Sequence, residues 1–338
     1  MLDSEIVPSS TFVRRPPPMP VRCAIGVAMY GVFAPVVWTL EKLGLSDRPF
    51  RSMYLGQQKR LAKNNPFDGY VPGKQDVIVA TYAKSGTNWM MQIAHQLIHH
   101  AKGEFEHIHN VVPWPDVKLF PPMRNYAIPL ERANHWKTSP ERKLVIKTHF
   151  NWEHIPYSED ARYIMVIRDP KDVFVSNYVF VKATVFGPAM PSVDTWFKMY
   201  LSEGFMGGSW AVNAAGYWAQ RHRPNVMVMP FKAMKRDLRG TVLKVADFLD
   251  VRVPEDVIQE VCKQSTFEYM KRIDHKFRPW PMIPWRPEPT MIRKGAQGGS
   301  AEMLSPERQR QMDAYFMAEM KRLAPDFPYD GFCDVTRT

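Results

Sequence analysis

Cysteine is scarce in this chain: its 338 residues include only Cys23, Cys262 and Cys333. Because the three lie far apart and no two have the spacing of a metal-binding pair, the sequence excludes a disulfide framework and a cysteine-based zinc module. Charged residues make up 23% and hydrophobic residues 45%, which excludes a wholly disordered, fibrous or polytopic membrane protein. The length fits one large domain or two small ones.

Acidic residues are outnumbered, with 34 Asp and Glu against 45 Lys and Arg, which gives a net charge of +11. This surplus favours an anionic partner such as a nucleotide, an acidic glycan or a lipid surface. The basic residues are not gathered beside aromatic stacking motifs, so we expect no nucleic acid. His95 and His99 lie four residues apart, but the Glu of a zincin motif is absent. We therefore expect no metal.

Formal charge is absent from Cys23 to Leu40, a stretch of 18 residues that follows a proline-rich arm. This length is at the lower edge for a membrane span. Three interpretations remain open: a membrane-spanning anchor, an amphipathic helix on a lipid surface, or an apolar helix packed on the domain. If the helix is amphipathic and lies on a lipid surface, residues 21–45 contact that membrane surface. We assign residues 1–62 to the arm and this helix, and residues 63–338 to the main domain.

The position of this apolar stretch also bears on where in the cell the protein is found. A cleaved secretory signal is not expected, because a long proline-rich arm precedes the stretch and no clear cleavage site follows it. The low cysteine content suits a reducing compartment. We therefore expect a cytoplasmic protein, either free or associated with a membrane through the apolar stretch.

From about residue 65, strand and helix signals alternate, as in an α/β protein with a parallel sheet flanked by helices. The predicted strands are Val77–Tyr82, Leu144–Lys147, Tyr163–Arg168 and Val226–Phe231. The predicted helices are Asn88–Ala101, Pro170–Val181, Ser192–Ser202, Trp210–His222, Met234–Leu249, Pro254–Lys263 and one that begins at Ser305-Pro306. The segment Phe277–Pro289 contains five prolines, which predicts an ordered loop rather than a helix.

The most informative motif is TYAKSGTNW, from Thr81 to Trp89, which joins the first strand to a helix. Free N–H groups and the dipole at a helix start favour an anion, so the motif predicts a phosphate-binding loop. It is not a Walker loop, because Lys84 precedes Gly86 instead of following it and the earlier glycine is missing. An ATPase or kinase is therefore disfavoured.

The motif resembles the 5′-phosphosulfate loop of sulfotransferases that use 3′-phosphoadenosine 5′-phosphosulfate (PAPS), usually written Tyr-Pro-Lys-Ser-Gly-Thr-x-Trp. Only Ala83 departs from it, by replacing the proline. Three further elements follow in the family's order: IKTH at residues 146–149, IRDPKDVFVSNYVF at 167–180 and Arg-Lys-Gly at 293–295. The resemblance spans residues 65–325 and implies the sulfotransferase fold, in which a P-loop-like parallel sheet is flanked by helices.

The resemblance also implies the roles of three residues in sulfuryl transfer. Lys84 would assist the leaving oxygen, Lys147 the transferring sulfuryl group, and His149 would act as general base. A histidine suits this task because its usual pKa of about 6.5 lets it accept a proton near neutral pH. Charge stabilisation by lysines fits a reaction whose leaving group becomes more negative, and no metal is required.

The remaining residues in the resemblance would bind the nucleotide. The 5′-phosphate group would be bound by Ser85, Gly86, Thr87 and Asn88, and the adenine by Trp89. The 3′-phosphate would be bound by Arg168 and Ser176, eight residues apart, and covered by Arg293, Lys294 and Gly295. Ser265 and Phe231 lie where the family has a nucleotide-contacting Thr and a Tyr.

Two departures keep other functions open. The family's Asp-Trp-Lys after the Arg-Lys-Gly loop is absent, and Phe231 lacks the phenol of the usual Tyr. Together with Ala83, these departures keep open a nucleotide-binding module without transferase activity. The apolar N-terminal stretch separately keeps open a membrane-tethered carbohydrate sulfotransferase. The irregular segments carry aromatic residues that favour an apolar acceptor, a hydrophobic alcohol or phenol: Trp114, Phe120, Phe186, Trp280 and Trp285. The oligomeric state is not indicated.

Overall fold

The computed structural model describes residues 12–202, 205, 208–293 and 299–336. Its centre is a four-stranded sheet of β1 (Asp76–Thr81), β2 (Leu144–Thr148), β3 (Arg162–Ile167) and β4 (Val226–Pro230), in the order β2-β1-β3-β4. All three neighbouring pairs are parallel. The carboxyl ends of the strands therefore meet at one edge, where Thr81, Thr148 and Ile167 precede the predicted site motifs. The predicted α/β fold is confirmed.

The sheet is buried because side chains on both of its faces pack against other elements. In β1, Val77 and Val79 pack in a cluster with α4, α10 and α11, while Ile78 and Ala80 pack in a second cluster that includes Tyr217. Strands buried on both faces form continuous apolar runs instead of alternating patterns. This explains why the strands could be predicted from short apolar segments.

The helices surround this sheet, and each one predicted in the main domain has a counterpart in the structure, in the same order. They are α1 (Met19–Ala28), α2 (Ala34–Lys42), α3 (Asp47–Lys63), α4 (Thr87–Ile98), α5 (Ile108–Val111), α6 (Pro170–Val181), α7 (Val193–Tyr200), α8 (Trp210–Trp218), α9 (Phe231–Arg236), α10 (Leu238–Phe248), α11 (Glu255–Gln264), α12 (Phe267–Arg272), α13 (Pro306–Leu323) and α14 (Tyr329–Phe332). Helices α3, α5, α12 and α14 are not among those predicted. The helix predicted over Met234–Leu249 is two helices. Asp237 leaves helical geometry and accepts a hydrogen bond from the N–H of Gly240, so it caps α10.

The apolar N-terminal stretch is helical from Met19 to Lys42, with a wider π-turn at Met29–Phe33 between α1 and α2. By length and composition this helix could cross a membrane. In the structure one side of it packs on the domain through the buried residues Gly26, Ala34 and Val37. The rest of its surface is mostly exposed.

The proline-rich segment 277–289 lies beside this N-terminal helix. The guanidinium of Arg22 donates hydrogen bonds of 3.1 and 2.6 Å to the carbonyl of Pro281. A Cβ at Gly26 would overlap the indole of Trp285, so the helix and the segment are in close contact. The segment is thus the ordered loop that its sequence predicts.

Replacing Ser305 with Ala should lower the free energy of unfolding by about 1 kcal/mol, because Ser305 caps α13. Its hydroxyl accepts a hydrogen bond of 3.3 Å from the N–H of Arg308. Urea unfolding of the two proteins measures the difference. Ser305→Asp keeps an acceptor at the same position and should retain most of the stability. Equal losses in both variants would contradict the capping role.

Candidate active site

The loop between β1 and α4 has a backbone shape that glycine makes possible. Lys84 and Gly86 both have positive φ, of 72° and 98°. A Cβ at position 86 would lie 2.7 Å from the ring of Phe231, closer than side chains normally approach. Helix α4 begins directly after Gly86 and has no side-chain cap from the described part of the chain, so the N–H groups of its first turn are available to an anion.

Two buried hydroxyl groups beside this loop have no hydrogen-bond partner within the described part of the chain. They belong to Ser85 and Ser265, whose side chains are fully buried. Buried polar atoms are nearly always paired, so these two hydroxyls are available to a group bound at the loop. Thr87 differs, because its hydroxyl lies 2.5 Å from that of Thr81. Asn88 is half-buried in the same turn.

Trp89 links this turn to the segment around Ser265. Its indole N–H donates a hydrogen bond of 2.7 Å to the carbonyl of Ser265, and its ring meets Phe231 edge-on at 5.7 Å. The predicted base-binding residues Trp89, Phe231 and Ser265 therefore lie together. The two unpartnered hydroxyls and this aromatic pair fit a nucleotide better than they fit a closed apolar core.

Arg168, at the end of β3, also contacts the phosphate-binding loop. Its guanidinium donates a hydrogen bond of 3.1 Å to the carbonyl of Lys84 and another of 3.4 Å to Asp172. The same group lies 4.6 Å from the centre of the Phe231 ring. Arg168 is thus held beside the loop by both polar and aromatic contacts.

A cavity of about 280 Å³ joins three of the predicted site residues from distant parts of the sequence: Lys84, Ser176 and Arg293. Arg293 forms an ion pair of 2.7 Å with Glu302. Lys294 and Gly295, the rest of the Arg-Lys-Gly motif, lie outside the described residues. The cavity is also lined by the end of the proline-rich segment, including Pro287 and Pro289.

The surroundings of His149 fix which ring nitrogen carries the proton and keep the ring neutral. Its Nδ1 lies 2.9 Å from the carbonyl oxygen of Thr81. Because a carbonyl only accepts hydrogen bonds, Nδ1 carries the proton and Nε2 keeps its lone pair. Burial, reinforced by the nearby charge of Lys147, lowers the pKa of His149 to about 3, so the ring is neutral at neutral pH.

Asp116 fixes the backbone that carries His149. Its carboxylate accepts a hydrogen bond of 2.7 Å from the N–H of His149 and one of 2.8 Å from the hydroxyl of Thr148. Burial raises the pKa of Asp116, and these hydrogen bonds oppose that shift. The residue comes from an irregular segment without a motif, so sequence reasoning missed it.

Of the two predicted catalytic lysines, Lys147 is buried and Lys84 is half-buried, and both have lowered pKa values. Burial, together with Arg168, lowers the pKa of Lys84 to about 8. Burial is also the main cause for Lys147, whose pKa falls to about 7. Their ammonium groups lie over aromatic rings, at 4.1 Å from the centre of Phe180 for Lys84 and 3.5 Å from that of Trp114 for Lys147.

Trp114 begins a wall of aromatic side chains beside His149. The rings of Trp114 and His149 are 5.5 Å apart, those of Trp114 and Tyr126 are 5.8 Å apart, and Trp280 follows at 4.8 Å from Tyr126. The other aromatic residues noted in the sequence lie elsewhere. Phe186 packs edge-on at 4.9 Å from Phe50 in the core, and the exposed residues are Trp285 and Phe120.

A family model described as the sulfotransferase domain matches residues 74–324, most of the chain. The chain belongs to the sulfotransferase family. Sulfotransferase 2A6 of Mus musculus is 30% identical over 205 residues, 60% of this chain and 68% of the relative. A 3-beta-hydroxysteroid sulfotransferase of Cavia porcellus is 25% identical over 270 residues, 78% of this chain and 90% of the relative. The predicted PAPS-dependent sulfotransferase is thereby confirmed as the enzyme class.

Solved structures of low sequence identity show the same fold. Retinol dehydratase in complex with androsterone and inactive cofactor PAP has a TM-score of 0.65 at 20% identity, covering 80% of this chain and 87% of that one. A mouse sulfotransferase complexed with PAP has a TM-score of 0.56 at 19% identity, covering 75% of this chain and 88% of that one. The sulfotransferase fold predicted from the motifs is confirmed.

Binding of adenosine 3′,5′-bisphosphate (PAP) should take up protons and weaken as the pH rises from 7 to 9. Lys84 and Lys147, with pKa values of about 8 and about 7, lose their charges in this range. A bound anion favours the charged forms, so affinity should fall by up to about tenfold per pH unit for each proton taken up. Titration calorimetry in buffers of different ionisation enthalpy counts these protons.

Lys84→Met should reduce both the affinity and the proton uptake. The matched control is Lys118→Met, because Lys118 lies outside the site in an ion pair of 2.8 Å with Glu131. It should change neither quantity. Affinity that stays constant from pH 7 to 9 would contradict the lowered lysine pKa values.

Proposed function

We propose that this sulfotransferase transfers the sulfuryl group of PAPS to the hydroxyl of a hydrophobic alcohol or phenol, with His149 as general base. The observation that carries the proposal is the hydrogen bond between Nδ1 of His149 and the Thr81 carbonyl. It leaves Nε2 as the proton acceptor beside Lys147 and Trp114. A general base needs this arrangement of one fixed nitrogen and one free lone pair.

The proposed step forms one bond to sulfur and breaks another. PAPS supplies the sulfuryl group, and adenosine 3′,5′-bisphosphate leaves with the former bridging oxygen. His149 Nε2 accepts the proton of the acceptor hydroxyl as its oxygen bonds to sulfur. Lys84 neutralises the charge that grows on the leaving oxygen, and Lys147 stabilises the sulfuryl group during transfer.

We propose that the remaining predicted residues bind the nucleotide. The buried, unpartnered hydroxyls of Ser85 and Ser265 support this assignment. The N-terminus of α4 and the guanidinium of Arg168 supply donors of the kind that phosphate groups require. The nucleotide would be bound by Ser85, Gly86, Thr87, Asn88, Trp89, Arg168, Ser176, Phe231, Ser265, Arg293, Lys294 and Gly295. We propose that no metal takes part.

The acceptor class is proposed from the aromatic wall of Trp114, Tyr126 and Trp280 beside His149. Aromatic side chains bind rings and hydrocarbon groups through large apolar faces. A relative named for a 3-beta-hydroxysteroid and a structural neighbour bound to androsterone are consistent with this class. We further propose a cytoplasmic enzyme that contacts a membrane surface through residues 21–45.

Replacing His149 with Ala should lower kcat by roughly 10²- to 10⁴-fold, the usual contribution of a general base. The affinity for adenosine 3′,5′-bisphosphate should change little, because the assigned phosphate ligands remain. Steady-state sulfation rates and nucleotide titration measure the two quantities separately. His154→Ala is the matched control, since His154 is half-exposed in the turn that follows and lies outside the proposed site.

The control variant should retain the activity of the original protein. Loss of nucleotide affinity in His149→Ala, in proportion to its loss of activity, would contradict a role as base. Unchanged turnover in that variant would also contradict it.

The acceptor class can be found by incubating the purified protein with PAPS and pooled phenols, sterols, lipid alcohols, amines and glycans. Mass spectrometry then identifies the sulfated product. We expect a phenol, sterol or lipid alcohol to be sulfated. A sulfated glycan or amine in their place would contradict the proposed acceptor class and leave the sulfotransferase family unaffected.

A further inference from the structure

The N-terminal helix Met19–Lys42 has an outer surface that is apolar where a helix on a soluble domain is normally polar. Val27 and Val32 are 66% and 64% exposed, and Val36 is 46% exposed. No residue from Cys23 to Leu40 carries a formal charge. We call the exposed side of this helix the outer face, defined by Val21, Ala24, Val27, Ala28, Gly31, Val32, Pro35, Val36 and Thr39.

The inner side of the same helix is anchored to the domain at both ends. Near its start, Arg22 donates to the carbonyl of Pro281, and Gly26 contacts the indole of Trp285. Near its end, the indole N–H of Trp38 donates a hydrogen bond of 3.0 Å to the carbonyl of Pro188. A helix that crossed a bilayer would lose these contacts. The arrangement therefore suits a helix lying in the plane of a membrane surface.

Exposed cations flank the outer face along the chain. Arg15 precedes the helix, Lys42 ends it, and Arg48 and Arg51 follow in α3. A two-fold contact between two copies of this face would bring equivalent cations of the two copies near one another. An anionic lipid surface instead complements them, and its hydrocarbon region accepts the uncharged outer face.

The inner side of the anchored helix also contacts the segment that carries part of the aromatic wall. Pro281, whose carbonyl accepts from Arg22, directly follows Trp280, and the Trp280 ring lies 4.8 Å from that of Tyr126. A membrane bound at the outer face would therefore be separated from this end of the proposed acceptor site by the helix alone. This placement suits an apolar acceptor supplied by the bilayer.

We propose that the outer face docks in the plane of an anionic lipid surface, and that the enzyme takes its acceptor from that bilayer. The docking part depends only on the helix and its flanking cations. The acceptor part rests on the proposed sulfation of a hydrophobic alcohol or phenol. The two parts can fail separately.

The docking part is tested by co-sedimentation of the full chain with phosphatidylcholine vesicles that contain about one third phosphatidylserine, a typical anionic surface. The test variant is Val27→Glu, Val32→Glu and Val36→Glu combined. We expect its vesicle partition coefficient to fall by at least about tenfold, because charged side chains enter the bilayer surface at a cost. Binding should also weaken at high salt and with pure phosphatidylcholine.

The control combines Val71→Glu, Leu243→Glu and Met317→Glu, which change equally apolar, exposed residues outside the helix. It should bind vesicles like the original protein. Circular dichroism and affinity for adenosine 3′,5′-bisphosphate report whether each variant is folded, independently of membranes. A folded test variant that binds vesicles normally would overturn the proposal.

Two other outcomes would also overturn docking in the plane. One is that the original protein does not bind vesicles and sediments as a dimer, whereas the test variant sediments as a monomer. The outer face would then bind a second copy of this chain. If the protein resists alkaline carbonate extraction from membranes, the helix spans the bilayer.

The acceptor part is tested by comparing a sterol dissolved in the vesicles with a water-soluble phenol. The test variant should sulfate the vesicle-borne sterol at least about fivefold more slowly than the control, and the soluble phenol at an equal rate. Equal loss on both acceptors would overturn supply from the bilayer. If the original protein sulfates neither, the proposed acceptor class fails while the vesicle-binding result still stands.

Discussion

The active site depends on positive charge that the fold holds partly away from water before any anion arrives. Lys147 is buried and Lys84 is half-buried at the carboxyl edge of the sheet, and desolvation lowers the pKa of both. Charge removed from water is stable only when it is paired or hydrogen-bonded. Aromatic rings lie beneath both ammonium groups, and Asp116 attracts Lys147. A bound anionic nucleotide, as proposed above, would add compensation to that of these partners.

The same charges govern the basicity of His149. Burial and the neighbouring Lys147 and Lys84 lower its pKa, so the free enzyme holds a neutral ring that is a weak base. An anion bound between the lysines would counteract their effect and raise the proton affinity of Nε2. We therefore expect the proton affinity of His149 to rise when an anion is bound there. In the proposed reaction, proton abstraction and donor binding would thereby be linked through one electrostatic field.

The sequence predicts the parts of the structure that depend on local pattern. The buried parallel strands are short apolar runs, and the phosphate-binding loop is a contiguous motif, so both are visible without tertiary information. Asp116 and Phe180 could not be predicted in the same way, because their roles arise from contacts with distant residues. The break at Asp237 was missed since the apolar pattern continues across it. The packing of Phe186 against Phe50 also required the fold.

The π-turn at Met29–Phe33 aligns the buried sides of α1 and α2. Each residue of an α-helix adds a rotation of about 100°, so Gly26 and Ala34, eight residues apart, would point about 80° from each other in a uniform α-helix. A π-turn holds one residue more than an α-turn, which reduces that difference to about 20°. Gly26 before the turn and Ala34 after it are therefore both buried against the domain. A single shift of the hydrogen-bond ladder, rather than any one side chain, thus sets which side of the helix meets the domain.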